Sequence, residues 1–192
     1  MTKPIQNRAK NTRETILTTA YDLFITHGYH AVFIRDIAQK AGISVGSIYR
    51  YFPDQKHILL TLLDERLPLS LAVSSDRLQS TDLRSIITSI VENRQKNSAN
   101  AGLRAVLTVV AMDDADVKAR LDARHEASIR ELSLLLAKLE KKGLSRPHLD
   151  LAFTSNLLHI LVTNTITPTT TSAEINQLVD VILHIIVPDH AG

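Results

Sequence analysis

The sequence predicts an all-α protein, with a small N-terminal three-helix domain containing a helix-turn-helix and a larger C-terminal helical bundle. Three observations lead to this fold class. Apolar residues recur at helical spacing along most of the 192 residues, and no run alternates as a half-buried strand does. Gly42 separates two short helical segments, as a helix-turn-helix requires. Seven of the eight Phe and Tyr residues lie at or before Phe52, which divides the chain into two differently composed regions.

The overall composition is that of a soluble globular protein. Apolar residues make up 44% of the chain and charged residues 22%. The first ten residues, MTKPIQNRAK, are polar and basic, so we expect no secretory signal, and no apolar run is long enough to span a bilayer. The absence of cysteine excludes disulfides, a thiol nucleophile and thiolate metal sites. These features predict a cytoplasmic protein with no membrane partner.

Positive charge is concentrated in the N-terminal region. Residues 1–56 contain eight Lys and Arg against four Asp and Glu, a net charge of +4, whereas the whole chain carries +2. This region is therefore the candidate for contacting a polyanion such as DNA. The charge distribution alone agrees equally well with another interpretation, in which the basic residues form a solvated face on a small aromatic core.

The N-terminal region is predicted to consist of a flexible basic arm, residues 1–10, and a helix-turn-helix domain, residues 11–56. Asn11 can cap the first helix, and Gly28 ends it. The two short helices of the motif are predicted over residues 34–40 and 45–51.

A second domain is predicted over residues 57–192. Asp54 starts the helix that leads into it, and Pro68 is expected to disturb that helix. Thr171 and Glu174 form a capping box for the last helix. The other predicted helices cover residues 82–96, 101–112, 115–142, 149–165 and 173–187.

The second short helix of the motif has an unusual outer face. Ile37 and Ile48 point inward, and the opposite face displays Val45, Gly46, Ser47, Tyr49, Arg50 and Tyr51. Small residues allow close approach to DNA, an arginine can bond guanine O6 and N7, and tyrosine hydroxyls and Lys56 suit phosphate oxygens. The alternative is that Tyr49 and Tyr51 pack against the first helix, and we expect one edge of Tyr51 in the core.

The segment GYHAVFIRDIAQKAGISVGSIYRYFPDQKHIL resembles the DNA-binding domain of the TetR family of transcriptional regulators, and the resemblance covers roughly residues 10–60. It implies a three-helix DNA-binding domain followed by a helical domain that dimerises and usually holds an effector pocket. It also implies which residues line the DNA: Ser44, Val45, Ser47, Tyr49, Arg50, Tyr51 and Lys56.

The sequence departs from the family pattern at two places. Val32 and Phe33 stand where the family usually has a Ser or Thr that caps the second helix and meets a phosphate. That contact would then fall to backbone N–H groups or to Arg35. Val45 replaces a residue that is often basic or polar, and it offers only apolar contact, for instance with a thymine methyl group.

The last two predicted helices carry apolar stripes that resemble the family's four-helix dimer interface, with an intramolecular core as the alternative. The residues expected at a dimer interface are Leu158, Leu161, Val162, Leu178, Ile182 and Ile186.

An effector site in the second domain must have mainly aliphatic walls, because Phe153 is the only Phe, Tyr or Trp beyond Phe52. Such walls cannot form an aromatic cage around a cation, so they favour an apolar or weakly acidic effector. The candidate pocket residues are Ile86, Ile90, Asn93, Leu103, Leu107, His125, Phe153 and Asn156.

These features predict a homodimeric, ligand-responsive repressor that reads a near-palindromic double-stranded DNA operator and is released by a small-molecule effector. One alternative is a DNA-binding protein of the same fold that is gated by a protein partner or by nothing. An enzyme on a helical scaffold is a weaker alternative, because the sequence shows no cluster of acid, base or nucleophile. We expect no cofactor and no metal, because the eight histidines include no acid-supported pair on one helix face.

Overall fold

The structure is a computed structural model that describes residues 3–67 and 82–187. It is all-α, as predicted, and no strand occurs in these two ranges. The helices are α1 (Lys3–His27), α2 (Ile34–Ala41), α3 (Val45–Tyr49), α4 (Gln55–Arg66), α5 (Leu83–Lys96), α6 (Ala101–Asp113), α7 (Ala115–Lys141), α8 (Leu151–Thr165) and α9 (Ser172–Ile186).

The described residues pack into two units. Unit 1 comprises residues 3–67 and 100–120, and unit 2 comprises residues 82–99 and 121–187. The predicted functional boundary after residue 56 stays a prediction. Pro68, where we expected a disturbed helix, lies outside the described residues. None of the helices that the structure describes is long and apolar enough to cross a membrane.

Helix α1 begins at Lys3, so the predicted start at Asn11 and the flexible arm predicted before it are wrong from residue 3 onward. The physical reason is that Pro4 stands in the first turn, where its missing N–H is no loss, and good helix formers follow it. The apolar stripe of α1 is fully buried, and Gly28 ends the helix with a φ of 81°.

Helices α2 and α3 form the predicted helix-turn-helix. Gly42 adopts the left-handed conformation, with φ 67° and ψ 31°, and its N–H bonds back to α2. Ile37 and Ile48 are fully buried, and Ala38 is buried where the two helices approach. The motif is therefore held by its inward residues, which leaves the outer face of α3 to solvent.

Helix α4 begins after Asp54, whose side chain accepts a hydrogen bond from the N–H of His57 at 2.8 Å. Helix α6 completes unit 1 by packing on α1 and α4. The residues that α4 and α6 bury are Ile58, Leu59, Leu62, Leu63, Leu103, Leu107 and Val110.

Unit 2 is built around contacts of α5 with α8 and α9. The capping box of Thr171 and Glu174 at the start of α9 is confirmed. At the other end of α9, the Arg146 guanidinium donates to the carbonyl oxygens of Val187 and His184, where a cation also suits the helix dipole. The apolar core of unit 2 comes from α5, α8 and α9 and from the later turns of α7.

Candidate functional site

Helix α3 is positioned by its cap and by one buried anchor. The Ser44 hydroxyl accepts a hydrogen bond from the N–H of Ser47 at 3.2 Å and lies 2.8 Å from the Ser47 hydroxyl. Ile48 fixes the helix from below, since its side chain is completely buried. These contacts order the first turn of α3 while both serine hydroxyls keep lone pairs for other partners.

The outer face of α3 is exposed and carries the predicted residues together. Val45 is 39% exposed and Tyr49 53%, which is more than a packed structural helix needs. Arg50 and Gly46 are also exposed, whereas Tyr51 is half-buried, as expected for a ring with one edge in the core. The packing alternative therefore does not apply to Tyr49.

Arg50 is placed to act as a donor to an external partner. Its side chain has no ion pair within the described residues, although acidic side chains pair with most of the other arginines of unit 1. An arginine in this state presents a planar set of five N–H donors, which matches the two acceptors of a guanine edge or a phosphate.

The start of α2 shows how the chain manages without the missing Ser or Thr cap. Asp36 accepts a hydrogen bond from the N–H of Phe33 at 2.7 Å, so the acidic residue of the first turn supplies half of a capping box. Arg35 is 77% exposed in its side chain and stacks over the Phe33 ring at 5.1 Å. Arg35 is thus available at this helix end, as predicted from its position.

Lys56 has partners that sequence reasoning did not reveal. Its Nζ lies 2.7 Å from a carboxylate oxygen of Asp116 and 3.0 Å from one of Asp114, both at the junction of α6 and α7. Hydrogen bonds to Asp116 and then to Asp114 raise the pKa of Lys56, and the bond to Lys56 lowers the pKa of Asp114. The charge predicted to meet a DNA phosphate is therefore offset inside unit 1. The partners lie 58 and 60 positions away, beyond the range of any local pattern.

Unit 2 contains a partly open aliphatic cavity of about 30 Å³. Its lining matches the predicted aliphatic wall and includes Ile86 and Ile90, two of the predicted pocket residues. The complete lining is Ile86, Ile87, Ile90, Val91, Leu132, Leu135, Leu136, Leu139, Leu158, Val162, Ile182 and Ile186. A second, open groove of about 560 Å³ on unit 2 lies at α8, α9 and the segment between them. Its lining is Leu161, Thr165, Thr167, Thr169, Thr170, Glu174, Gln177, Leu178 and Val181.

The other predicted pocket residues do not line this cavity, so their assignment to an effector site stays a prediction. Leu103 and Leu107 are fully buried in the core of unit 1. Phe153 is 66% exposed, and His125 and Asn156 also face solvent. Asn93 is half-buried on α5 and is absent from the lining. Helical periodicity identified apolar stripes but could not tell which stripe faces which cavity.

The predicted dimer interface needs correction. Five of its six residues are buried in the core of their own unit, namely Leu158, Val162, Leu178, Ile182 and Ile186. A side chain already covered by its own chain has no surface left for a partner. Only Leu161 is partly exposed. The large apolar side chains that α8 and α9 do expose are Phe153, Ile160 and Val181.

The fold and the exposed face of α3 define a helix-turn-helix protein with a separate helical domain. Residues 16–62 match the sequence profile described as "Bacterial regulatory proteins, tetR family". Residues 16–62, which contain the helix-turn-helix, are therefore similar to the corresponding segment of tetR-family regulatory proteins. The relatives below carry the names of transcriptional regulators.

Two relatives and one solved structure illustrate the similarity. The HTH-type transcriptional repressor KstR of Rhodococcus jostii is 40% identical over 57 residues, which are 30% of this chain and 27% of that protein. The HTH-type transcriptional regulator UidR of Escherichia coli K12 is 23% identical over 155 residues, which are 80% of this chain and 79% of that protein. A transcriptional regulator from Saccharomonospora viridis in complex with choline has a TM-score of 0.72 at 23% identity, covering 94% of this chain and 100% of that one. At that identity, the structural match speaks for the shared fold alone.

Proposed function

We propose that this protein is a homodimeric, ligand-responsive repressor that inserts α3 into the major groove of each half of a near-palindromic operator. The observation that carries the proposal is the outer face of α3, where the unpaired Arg50 lies among exposed small and aromatic residues. Arg50 reads a guanine, and Tyr49 with the serine hydroxyls contacts phosphates. The predicted DNA-lining set stays a proposal: Arg35, Ser44, Val45, Gly46, Ser47, Tyr49, Arg50, Tyr51 and Lys56.

The proposed dimer uses the outward face of α8 and α9. Phe153 and Ile160 are seven residues apart on α8, so they lie two helical turns apart on one face. Val181 of α9 is 49% exposed and adds to the apolar surface of these helices. A symmetric contact of this face with its copy places two reading helices on one operator.

The proposed effector binds in unit 2. The aliphatic cavity supports a largely apolar ligand, and no aromatic ring lines it. The Saccharomonospora viridis regulator of the same fold is a complex with choline, so a small molecule is compatible with this architecture. A coupling of about 1–3 kcal/mol between effector and DNA suffices to release the operator.

The small size of the cavity favours a second candidate function. A volume of about 30 Å³ has room for about two water-sized groups, so this cavity as it stands holds no complete effector. In this alternative, the same DNA-binding protein is gated by a protein partner or is not gated. DNA release by a small molecule distinguishes the two candidates.

The test of DNA reading is selection of operators from random and genomic DNA, followed by binding measurements on single-base variants of the selected site. Arg50→Ala should lose its preference at one base position per half-site, by about 1–3 kcal/mol, because it removes a bidentate base contact. Tyr49→Phe should weaken all sequences alike, because it removes a phosphate contact. A uniform loss for Arg50→Ala would contradict base reading, and failure to select any sequence would contradict the proposed function.

A further inference from the structure

Three basic side chains of unit 2 converge from three different helices. His125 on α7 and His159 on α8 meet edge to face, with Nδ1 of His125 3.3 Å from Nε2 of His159. Arg94 on α5 donates from Nη2 to the carbonyl oxygen of Thr163 on α8 at 3.1 Å. Burial lowers the pKa of His159, and the positive charges of His125 and Arg94 lower it further. One ring of the histidine pair donates to the other, so at least one of the two rings is neutral, and Arg94 is the permanent charge of the cluster.

This basic cluster adjoins the aliphatic cavity. Arg94 follows Ile90 and Val91 of the cavity wall by one turn of α5, so all three lie along one side of that helix. His159 lies directly after Leu158 and one turn before Val162, which also line the cavity. A ligand that contacts both features must carry a compact polar group within about one helical turn, roughly 5–6 Å, of an aliphatic part.

The charge of the basic cluster determines whether the polar group of the ligand is an anion or a cation. The N–N distance between the two histidines suits two ligands of one metal ion, but no group of three metal-ligating side chains occurs within the described ranges. The guanidinium of Arg94 also repels a cation. An anion, in contrast, is attracted by the guanidinium of Arg94 and favours protonation of the histidine pair, and it can accept hydrogen bonds from both.

We infer that unit 2 binds an aliphatic monocarboxylate, with its carboxylate at Arg94, His125 and His159 and its chain in the aliphatic cavity. The inference rests on the proposed function, because it names the chemical class of the effector. The cavity accepts the first carbons of the chain as it stands, and longer chains have to displace side chains of α5 and α8. A carboxylate can accept two parallel hydrogen bonds from the guanidinium fork, which an alcohol cannot do.

Calorimetric titration of the full chain tests this inference. The probes are straight-chain carboxylates from butanoate to decanoate and the primary alcohol of the same length as each acid. We expect the acids to bind at least tenfold more tightly than their alcohols, because only the acid brings the negative charge that the basic cluster favours. Equal affinity of acids and alcohols, or no binding of any acid, would overturn the inference.

Three variants assign the two halves of the site. Arg94→Gln should remove the preference for acid over alcohol. The control is Arg130→Gln, which removes the same charge at an exposed arginine of α7 that pairs with Glu126, and it should leave the preference unchanged. Val162→Leu adds about one methylene group to the cavity wall and should weaken every acid. If Arg94→Gln fails to fold, His159→Gln takes its place. Equal effects of the two arginine variants would contradict the site.

Operator binding measured on the same preparations separates this inference from the proposed function. Operator binding without any binding of carboxylates overturns the inference and leaves a DNA-binding regulator. Carboxylate binding without any selected operator supports the site and overturns the proposed function. Release of the operator by an acid but not by its alcohol supports both.

Discussion

At the scale of single residues, the ion pairs of Lys56 bear on the phosphate contact that we propose for this side chain. A lysine whose pKa is raised by two carboxylates keeps its charge, but that charge is already neutralised locally. To bond a phosphate, Lys56 has to exchange at least one carboxylate for it. The side chain of Asp116 is 77% exposed, so this partner is the one held less firmly.

We therefore predict that Asp116→Asn strengthens DNA binding. The expected gain is about two- to fivefold for all sequences alike, because the variant releases a phosphate-directed charge without touching a base contact. The matched control is Asp113→Asn, which makes the same charge change at an exposed neighbour that does not bond Lys56. Affinity measured over a range of salt concentrations checks the prediction. Equal gains for both variants would show that only net charge matters.

His159 gives a second prediction at the residue scale, concerning pH. Its pKa in the folded protein is lowered, by burial first and then by His125 and Arg94. The unfolded chain therefore binds a proton that the folded chain resists, so the folded state loses stability as the pH falls through the ordinary histidine pKa of about 6.5.

Thermal unfolding between pH 8 and pH 5.5 measures this effect. The melting temperature of the wild-type protein should fall more toward acid pH than that of His159→Gln, because the neutral amide of glutamine does not titrate. His184→Gln is the control, because it makes the same substitution at an exposed histidine outside the basic cluster. Parallel pH profiles of wild type and His159→Gln would contradict the assigned shift.

At the scale of elements, two glycines with nearly the same backbone serve different purposes. Gly42 and Gly143 have φ values of 67° and 68°, and a methyl group at either position meets nothing within 4 Å. Alanine at each position thus costs backbone strain alone, about 1–2 kcal/mol. Gly42 sets the turn between α2 and α3, whereas Gly143 ends α7.

We predict that Gly42→Ala and Gly143→Ala destabilise the protein to a similar degree, while only Gly42→Ala impairs DNA binding. The reason is that strain in the α2–α3 turn is relieved by tilting the reading helix, and a small tilt moves Arg50 away from its base. Chemical denaturation and operator binding of both variants provide the comparison. Equal operator affinity of the two variants would show that the turn does not control the reading helix.

Most helices could be predicted because their ends carry local signals. Gly28, Gly42 and Gly143 end helices with positive φ, and the capping box of Thr171 and Glu174 starts α9, as its spacing predicts. The start of α1 was wrong because Asn11 resembles a cap but stands in a stretch that has no helix breaker before it. A residue that could cap a helix does not set its start when the residues before it are helical as well.

At the scale of the whole molecule, sequence patterns predict which faces are apolar but not what covers them. Leu178 and Ile182 were predicted at a subunit interface, and they pack in the core of unit 2. Lys56 and its two aspartates, and the pairing of His125 with His159, arise from contacts between distant segments. The exposure of Val45, Tyr49 and Arg50 could be predicted because the buried anchor Ile48 fixes which side of this short helix faces inward.

The last prediction concerns the oligomeric state and the corrected dimer face. Ile160→Glu combined with Val181→Glu should convert the dimer into folded monomers, because each charge enters an apolar contact while neither side chain belongs to the monomer core. Monomers present one reading helix, so specific DNA affinity should fall by at least a hundredfold, about 2.7 kcal/mol. Sedimentation velocity and operator binding measure the two effects.

Two comparisons make the dimer test specific. Val109→Glu places the same charge on an exposed valine of α6 in unit 1 and should leave the dimer intact. Ile182→Glu buries a charge in the core of unit 2 and should unfold that unit, because the side chain is only 4% exposed. A dimer that persists in the double variant would place the interface elsewhere. A folded monomer from Ile182→Glu would instead support the interface first predicted. In that case the monomer would tolerate a charge at Ile182, so the side chain would not be needed in the core of unit 2.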